Sequence, residues 1–401
     1  MAIKLFGGHQ IFFTTIQTNP FYYTSNKDKD FISQPRALNS KNIYLLIFDC
    51  VPLPRLIKNG EIDKDFFPTF HRLSEEWAWY RNATTNGTST SSVRPMLFSG
   101  RYYDKKLMFL KGFDDTLFSK VGTVLNSHFF FDERIFQENQ PVGFTESIKH
   151  AIWLNQSLFE AYLTISISPP FNEYILGLFS SWKFDWRGET PEEFLGKKEL
   201  YHGNKSQQQF FNFLEESTSF SGKRGNFFLL WSMIPHYPFI YDENGNIIRE
   251  PKYDSFVVGM GEEDIQRVIQ NQLGVLQYTD SLIGIFLRQL EESGLYEDAI
   301  IFVLSDHGLS ETGTNYDINE QVFRIPFFLK APGLPTGTDD RDVQIVDITP
   351  TIVDMLGMSL SAEYDGQSLL RPYSKRDKII YTLGVSGFRT LQNEETWWRK
   401  Y

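Results

Sequence analysis

Three short apolar runs, each leading to chemically reactive side chains, constrain this chain more than any other feature. In chain order they are residues 43–48 with Asp49, residues 227–231 with His236, and residues 299–305 with Asp306 and His307. Runs of this length are typical of the central strands of a parallel sheet. In open parallel sheets the ligand site lies beyond the carboxyl ends of the strands. The sequence therefore predicts a metal-dependent active site at one edge of the sheet.

Helical patterns between these runs indicate the fold class. Residues 262–294 carry apolar side chains along one helical stripe and stop at Gly294. Residues 68–79 are typical of a further helix, and Thr349-Pro350 opens a short one with proline in its first turn. Strands that alternate with helices favour a parallel sheet. We therefore predict an α/β fold, a three-layer α/β/α sandwich with a mostly parallel central sheet.

Composition excludes several classes of protein. The formal net charge of -11 argues against sequence-independent binding to nucleic acid, so no nucleic-acid partner is expected. Cys50 is the single cysteine, which rules out an intrachain disulfide. No apolar stretch reaches the roughly 18–20 residues of a membrane span, and the N-terminus lacks the pattern of a signal peptide. We expect a soluble chain and leave its compartment open, with cytoplasmic as the default.

A hydroxyl-rich loop supplies the next chemical element. A cation held by Asp49, Asp306 and His307 would keep open coordination positions, as catalytic metal sites do. A Ser or Thr oxygen from residues 88–92 could fill one of them and act as a nucleophile, because a bound cation lowers the pKa of a hydroxyl. The following segment has a helical pattern, so its first N–H groups could hold phosphate or sulfate oxygens.

The order of these motifs resembles the alkaline phosphatase/sulfatase superfamily over roughly residues 42–370. The matching pieces are residues 42–49, residues 84–101 with their ending Leu97-Phe98-Ser99-Gly100-Arg101, Pro235-His236-Tyr237-Pro238, residues 278–284, Ser305-Asp306-His307-Gly308, residues 325–333, residues 347–351 and residues 365–369.

Alignment on this family puts the nucleophile at Thr90. Counting back from Gly100-Arg101 gives that position, and Gly87-Thr88-Ser89-Thr90 also resembles phosphoethanolamine transferases, in which the second Thr is the nucleophile. Thr88 and Ser91 are the fallbacks. The resemblance further implies two sets of site residues. They are Asp49, Thr90, Asp306 and His307 as metal ligands, and Thr90, His236 and Arg94 as catalytic residues.

Two departures from the family pattern narrow the chemistry. Sulfatases carry a Cys or Ser in a Cys-x-Pro-x-Arg motif that is absent at Thr90, and Cys50 misses that motif because Arg55 falls one residue late. A Thr nucleophile suits attack on phosphorus. Two-metal phosphatases have a His four residues after an Asp, whereas Gly284 follows Asp280 at that spacing. We expect one divalent metal ion, with Zn or Mn favoured over Ca or Mg.

Other polar residues receive supporting roles. Asp280 lies on the apolar stripe of its helix, and we expect its carboxylate to make a buried hydrogen bond to a neighbouring loop. His236, Arg324 and Lys330 are expected to stabilise the leaving group or the transferred anion. Asn82 and Asn86 each begin a glycosylation sequon, which carries little weight in a chain without a signal peptide.

These expectations combine into a domain plan and a function. Residues 1–40 are an N-terminal extension, residues 41–375 a sulfatase-like catalytic domain with a substrate-shaping insertion at about 140–222, and residues 376–401 a C-terminal tail. The predicted function is a metal-dependent sulfatase-family hydrolase or transferase that acts on a phosphate or sulfate ester of a small molecule, glycan or lipid headgroup. The alternative is an inactive member that binds an anionic glycan or lipid headgroup. The resemblance favours an extracytoplasmic location.

Overall fold

The computed structural model describes residues 41–102, 116–131, 191–219, 225–237, 239–248, 262–309, 319–382, 387–391 and 397–400. Side chains are described for all of these except residues 191–204, 262–265 and 387–391. The described residues all belong to one compact unit. None of their helices is both long and apolar enough to cross a membrane.

Eleven strands and seven α-helices occur within the described residues. The strands are β1 (Ile43–Phe48), β2 (Ile57–Lys58), β3 (Glu61–Ile62), β4 (Ala78–Tyr80), β5 (Asn126–Phe131), β6 (Asn226–Ser232), β7 (Ile300–Ser305), β8 (Phe327–Lys330), β9 (Gly337–Asp339), β10 (Lys378–Thr382) and β11 (Gly387–Leu391). The helices are α1 (Pro68–Glu76), α2 (Thr90–Ser99), α3 (Leu117–Val124), α4 (Pro191–Ser219), α5 (Glu262–Glu292), α6 (Glu320–Phe323) and α7 (Ile348–Met355). Short 3-10 helices cover Leu53–Arg55, Ile345–Asp347 and Trp397–Lys400.

Seven strands form one sheet in the order β5-β6-β1-β7-β8-β4-β9. Strands β5, β6, β1 and β7 run parallel to one another. Strand β8 is antiparallel to both β7 and β4, while β4 and β9 are parallel. Phe48 pairs with Ser232 on one side and with Ser305 on the other, so the three central strands end at the same level. The sheet is thus mixed and mostly parallel, as predicted.

Helices cover both faces of the sheet. They bury the apolar side chains that β1 presents on its two sides. Tyr44, Leu46 and Phe48 pack in a cluster with α1, α4 and α5. Ile43, Leu45 and Ile47 pack in a second cluster with α2, α3 and α7. Burying each such side chain contributes about 1.5–3 kcal/mol to folding. The predicted three-layer α/β/α sandwich is confirmed.

The C-terminal segments pack on the main body of the fold. Strands β10 and β11 form an antiparallel pair, and the Lys378 and Trp397 side chains are buried. The boundary at residue 375 stays a prediction. The N-terminal extension lies outside the described residues, and of the proposed insertion at about 140–222 only α4, residues 191–219, falls within them.

Candidate active site

Two neighbouring strands deliver the acidic residues of the site. Because β1 and β7 are in register, Asp49 and Asp306 leave the sheet side by side. Ser305 joins the two exits: its Oγ donates to the Phe48 carbonyl oxygen at 2.7 Å and accepts from the Val51 amide at 2.9 Å. Both carboxylates are fully buried. The residues predicted at these strand ends therefore lie together.

Helix α2 brings Thr90 to the same place. Thr90 is the first helical residue and Ser89 is the N-cap. The Thr90 Oγ1 donates to Asp49 Oδ2 at 2.9 Å and lies 3.3 Å from His307 Nε2. Ser91 is exposed, and its Oγ lies 3.2 Å from Ser89 Oγ. Of the hydroxyls at residues 88–92, Thr90 is thus the one with a described hydrogen bond to the buried carboxylates.

The donor set fits a divalent cation. Asp49 Oδ1 and Asp306 Oδ2 are buried and accept no hydrogen bond from any described residue. They lie 3.7 Å and 3.5 Å from His307 Nε2. His307 Nδ1 faces the Gly308 carbonyl at 2.8 Å, which assigns the N–H to Nδ1 and leaves the Nε2 lone pair toward the carboxylates. Two uncompensated carboxylate oxygens are costly to bury, and a cation among them offsets that cost.

Cys50 lies on the other side of the histidine ring. Asp49, Cys50 and His307 form a possible metal-binding group, but the Cys50 Sγ sits 3.7 Å from Nδ1, the nitrogen that bonds to Gly308. The unpartnered oxygens are near Nε2 instead. Cys50 is therefore a buried neighbour of Asp49, in a left-handed backbone conformation with φ 64°.

The electrostatics of the site reflect two carboxylates in one buried space. Burial, together with the negative charge of Asp49, raises the pKa of Asp306 to about 7. Burial also opposes ionisation of Asp49, but His236, His307 and hydrogen bonds from Cys50 and Thr90 outweigh it, so the pKa of Asp49 is lowered. Burial opposes the charged form of His307, yet the two carboxylates raise its pKa overall. Of the two acids, Asp49 is therefore the one whose negative charge is stabilised.

His236 lies near this cluster, and Arg94 lies on the same helix as Thr90. His236 follows β6, is half-buried, and interacts electrostatically with Asp49. Its Nδ1 contacts the Tyr237 carbonyl oxygen, which leaves Nε2 for other partners. Arg94 is half-buried and lies one turn after Thr90, so both side chains project from the same side of α2. The catalytic roles of both residues stay predictions.

The prediction that Lys330 lies at the site is wrong. Strand β8 runs antiparallel to β7, so Lys330 pairs with Ile301 at the start of β7, away from Asp306. Its Nζ donates to the backbone carbonyls of Tyr296, Glu297 and Ala299. The direction of one strand therefore moves this cation to the opposite end of the sheet.

Arg324 is also occupied elsewhere. It is 2% exposed, its Nη1 donates to the Asn82 carbonyl at 3.3 Å, and its guanidinium lies 4.7 Å from the centre of the Trp397 ring. These contacts support a role in packing the loop before Thr90.

Asp280 makes the buried hydrogen bonds that were predicted. Its two carboxylate oxygens accept from the Thr69 amide at 3.0 Å and the Phe70 amide at 2.7 Å, at the start of α1. A Cβ on Gly284 would lie 2.9 Å from Thr69 Oγ1. The Asp280–Gly284 face of α5 therefore packs against the start of α1.

Fold and site together define the alkaline phosphatase-like class of α/β proteins: a mixed, mostly parallel sheet flanked by helices, with acids, a histidine and a threonine beyond its central strands. The family model described as Sulfatase matches residues 57–358. The chain belongs to the Sulfatase family. Its superfamily contains ester hydrolases and phospho-group transferases, and metal dependence is general within the family.

Individual relatives match over limited regions. A sulfatase of Formosa agariphila is 30% identical over 147 residues, which cover 32% of this chain and 29% of that protein. Lipoteichoic acid synthase 1 of Bacillus subtilis is 25% identical over 198 residues, which cover 42% of this chain and 29% of that protein. The match thus spans less than a third of either relative. A phosphonate monoester hydrolase of Agrobacterium radiobacter shares the fold, with a TM-score of 0.55 and 15% identity over 85% of this chain and 80% of that chain.

Proposed function

We propose that the protein is a metal-dependent hydrolase or transferase that acts on a phosphate or sulfate ester through Thr90. The observation that carries this proposal is the position of the Thr90 hydroxyl, which bonds to Asp49 and lies 3.3 Å from His307 Nε2. The same His307 nitrogen lies 3.7 Å and 3.5 Å from the two buried carboxylate oxygens that have no described partner. A purely structural role for Thr90, such as starting a helix, does not require two buried carboxylates and a histidine near its hydroxyl.

Asp49, Asp306 and His307, with Thr90 as a further ligand, are the residues that would hold one divalent cation. When bound, such a cation supplies a Lewis acid that lowers the pKa of a hydroxyl and offsets charge on the transferred group. Zn²⁺ and Mn²⁺ suit a mixed nitrogen and oxygen donor set better than Ca²⁺ or Mg²⁺.

Thr90 is the proposed nucleophile. As its oxygen bonds to phosphorus, its proton passes to Asp49 Oδ2, which lies 2.9 Å away. The N–H groups of Thr90 and Ser91 open α2, and the first α2 amide with a described acceptor is that of Ser92. These two donors suit the peripheral oxygens of the anion.

His236 and Arg94 complete the proposed reaction. The bond from phosphorus to the leaving oxygen breaks, and that oxygen takes a proton from His236 Nε2. Arg94 supplies positive charge toward the anion from the same side of α2. Water or an acceptor alcohol then gives its proton to His236 and displaces Thr90 from the phosphothreonine, and the Thr90 oxygen takes its proton back from Asp49 Oδ2. Water as the acceptor makes the protein a hydrolase, and an alcohol makes it a transferase.

Phosphorus is the favoured centre of attack. A Thr stands where sulfatases have the Cys or Ser of their Cys-x-Pro-x-Arg motif, and a hydroxyl suits formation of a phosphoester intermediate. The named relatives include both a sulfatase and a lipoteichoic acid synthase, so the proposed substrates are esters of small molecules, glycans or lipid headgroups.

The test uses purified protein with three chromogenic probes: bis(para-nitrophenyl) phosphate, para-nitrophenyl phosphate and para-nitrophenyl sulfate, each with Zn²⁺, Mn²⁺, Ca²⁺ or Mg²⁺. We expect metal-dependent turnover, highest with a phosphate ester, and a loss of about 10³-fold or more in Thr90→Ala. Ser281→Ala is the control, because it removes an exposed helix hydroxyl that donates to the Gln277 carbonyl oxygen; it should retain activity within about twofold.

Equal activity in Thr90→Ala and wild type would refute the nucleophile. If the wild type turns over no probe with any metal, lipid and glycan phosphoesters with alcohol acceptors test the transferase branch. Binding of such anions without any turnover would support the alternative, an inactive member of the family that binds an anionic glycan or lipid headgroup.

A further inference from the structure

The loop before Thr90 is held by C-terminal segments that lie beyond the family match. We define the nucleophile loop as residues 82–89, which lead directly into α2. The Sulfatase match ends at residue 358, whereas the loop's partners include residues 378–382 and 397. We propose that these C-terminal segments position Thr90, and that Asn86 is a positioning residue for the reaction. This inference rests on the proposed function, in which Thr90 is the nucleophile.

Asn86 links the nucleophile loop to three other backbone groups. Its side chain is fully buried. The Nδ2 donates to the Ile379 carbonyl at 2.8 Å, and the Oδ1 accepts from the Val346 amide at 3.1 Å. The Asn86 backbone carbonyl accepts from the Tyr381 amide at 2.8 Å. Strand β10 and the Ile345–Asp347 turn therefore fix this residue, four positions before Thr90, at both ends of its amide.

Asn82 provides a second attachment at the start of the loop. Its Oδ1 accepts from the Trp397 indole Nε1 at 3.0 Å, and its carbonyl accepts from Lys378 Nζ at 2.6 Å. Its Nδ2 donates to the Asp340 carbonyl at 2.8 Å. The loop is thus bound to C-terminal residues at two points, one on each side of Thr84 and Thr85.

The segment between these attachments and Thr90 is closely packed. Gln344 Nε2 donates to Thr84 Oγ1 at 3.2 Å, and a Cβ on Gly87 would lie 2.3 Å from Ser92 Oγ. A shift of Asn86 is therefore passed on to the first turn of α2. A displacement of about 1 Å can reduce a catalytic rate 10²-fold, because the nucleophile must stay aligned with its partners.

Asn86 has no described contact with Asp49, Asp306 or His307, so its effect on the reaction must pass through Thr90. Loss of its amide should lower kcat and leave KM nearly unchanged. Asn226 is the matched control: it is also a buried asparagine, 3% exposed, but it bonds to Asn42 at the amino end of β6. Both substitutions remove a buried side-chain amide, and only one of these amides holds the nucleophile loop.

The experiment compares Asn86→Ala and Asn226→Ala with bis(para-nitrophenyl) phosphate and Mn²⁺, under conditions where circular dichroism shows both variants folded. We expect kcat to fall at least tenfold in Asn86→Ala with KM changed less than threefold. We expect Asn226→Ala to keep kcat within twofold. Equal kcat losses in the two variants, or an unchanged kcat in Asn86→Ala, would overturn the proposal.

A milder pair of variants tests the second attachment. Trp397→Phe removes the indole N–H that bonds to Asn82 and keeps an aromatic ring beside Arg324. Trp398→Phe removes the neighbouring indole N–H, which has no hydrogen-bond acceptor among the described residues. We expect kcat to fall about fivefold in Trp397→Phe and to stay within twofold in Trp398→Phe. The opposite order would count against the proposal.

Amide hydrogen exchange separates this inference from the proposed function. In Asn86→Ala, exchange of the segment 87–97 should be at least tenfold faster than in wild type, and in Asn226→Ala it should not change. If wild type neither hydrolyses an ester nor transfers its group to an alcohol, the proposed function fails, and the exchange result still decides whether Asn86 fixes the start of α2. Unchanged exchange in Asn86→Ala refutes the positioning role whatever the activity.

Discussion

Asp306 is proposed to hold a metal ion, and the same carboxylate is expected to lower the stability of the metal-free protein. Its Oδ1 accepts from the amides of Cys50 and His307, but its Oδ2 has no described donor and lies in the same buried space as Asp49. A carboxylate in that position costs stability unless a cation is bound, because two like charges share one desolvated site. Under the proposed function, this cost follows from keeping both acids available to a metal.

Asp306→Asn should therefore stabilise the metal-free protein while removing metal binding. An Asn Oδ1 keeps the two amide hydrogen bonds, and its Nδ2 can donate toward Asp49. We expect the free energy of unfolding in EDTA to rise by about 1–3 kcal/mol. Added Mn²⁺ should raise the melting temperature of wild type but not of the variant.

Urea unfolding and thermal melts, each with EDTA and with Mn²⁺, measure both effects. Asp340→Asn is the control, because Asp340 is a carboxylate that is 56% exposed and pairs with Arg81 on the surface. A lower stability of Asp306→Asn in EDTA would show that the unpartnered oxygen costs nothing in the native protein.

Among the helices, α1 depends on another element for its start. Its N-cap residue, Phe67, has no side chain that can accept a hydrogen bond, and Pro68 follows. The carboxylate of Asp280 on α5 accepts from the Thr69 and Phe70 amides instead. One helix thereby caps another, which ties α1 and α5 together on one face of the sheet.

Asp280→Ala should destabilise the protein by about 1–3 kcal/mol, since it leaves the buried Phe70 amide and the part-buried Thr69 amide without this acceptor. Glu292→Ala, an exposed acidic residue at the end of the same helix, should change stability by less than about 0.5 kcal/mol. Urea unfolding at pH 7 gives both values. If Asp280 had a metal-binding role instead, its loss would lower the number of metal ions bound per chain, which plasma mass spectrometry counts.

The central elements could be predicted because their signals are local. Apolar runs with reactive residues at their ends correctly predicted β1, β6 and β7, and they brought Asp49 to Asp306 and His307. The direction of β8 could not be read, because an apolar run looks the same in either orientation, and Lys330 was misplaced for that reason. The attachments of Asn82 and Asn86 also escaped prediction, since they join the loop to residues some 300 positions later without any periodic pattern.

Over the whole molecule, Lys378 joins parts of the chain that are 296 residues apart. Its Nζ donates to the Asn82 carbonyl and lies 3.0 Å from Asp342 Oδ1. The side chain is 1% exposed. Burial, together with the nearby Arg324 guanidinium, lowers the pKa of Lys378 to about 7. Closing the C-terminal segments onto the loop therefore places a cation where its charged form is disfavoured.

This shift makes the stability of the protein depend on pH. Between about pH 7 and pH 10 the unfolded chain holds a proton on Lys378 that the folded protein lacks, so the free energy of unfolding should rise with pH. The slope from this group is at most about 1.4 kcal/mol per pH unit. As pH falls through about 7, the folded protein takes up the proton and the slope disappears.

Lys378→Met should flatten that rise, because the substitution removes the titrating group and keeps its aliphatic volume. Urea unfolding of wild type and variant at pH 7, 8 and 9 provides the comparison. Lys58→Met, at a lysine whose side chain is 57% exposed, should leave the wild-type slope unchanged. Parallel slopes in wild type and Lys378→Met would mean that Lys378 stays protonated in the folded protein.

The burial of Asn82 and Asn86 also bears on how the protein can be made. Both begin glycosylation sequons, yet they are 4% and 0% exposed. Their side-chain nitrogens, the atoms to which a glycan would be attached, donate inward to the carbonyls of Asp340 and Ile379. A sugar added to the emerging chain would occupy the space that the C-terminal strand must fill. In expression hosts that glycosylate nascent chains, a glycan on either asparagine would therefore hinder folding. Hosts that lack this reaction avoid the problem.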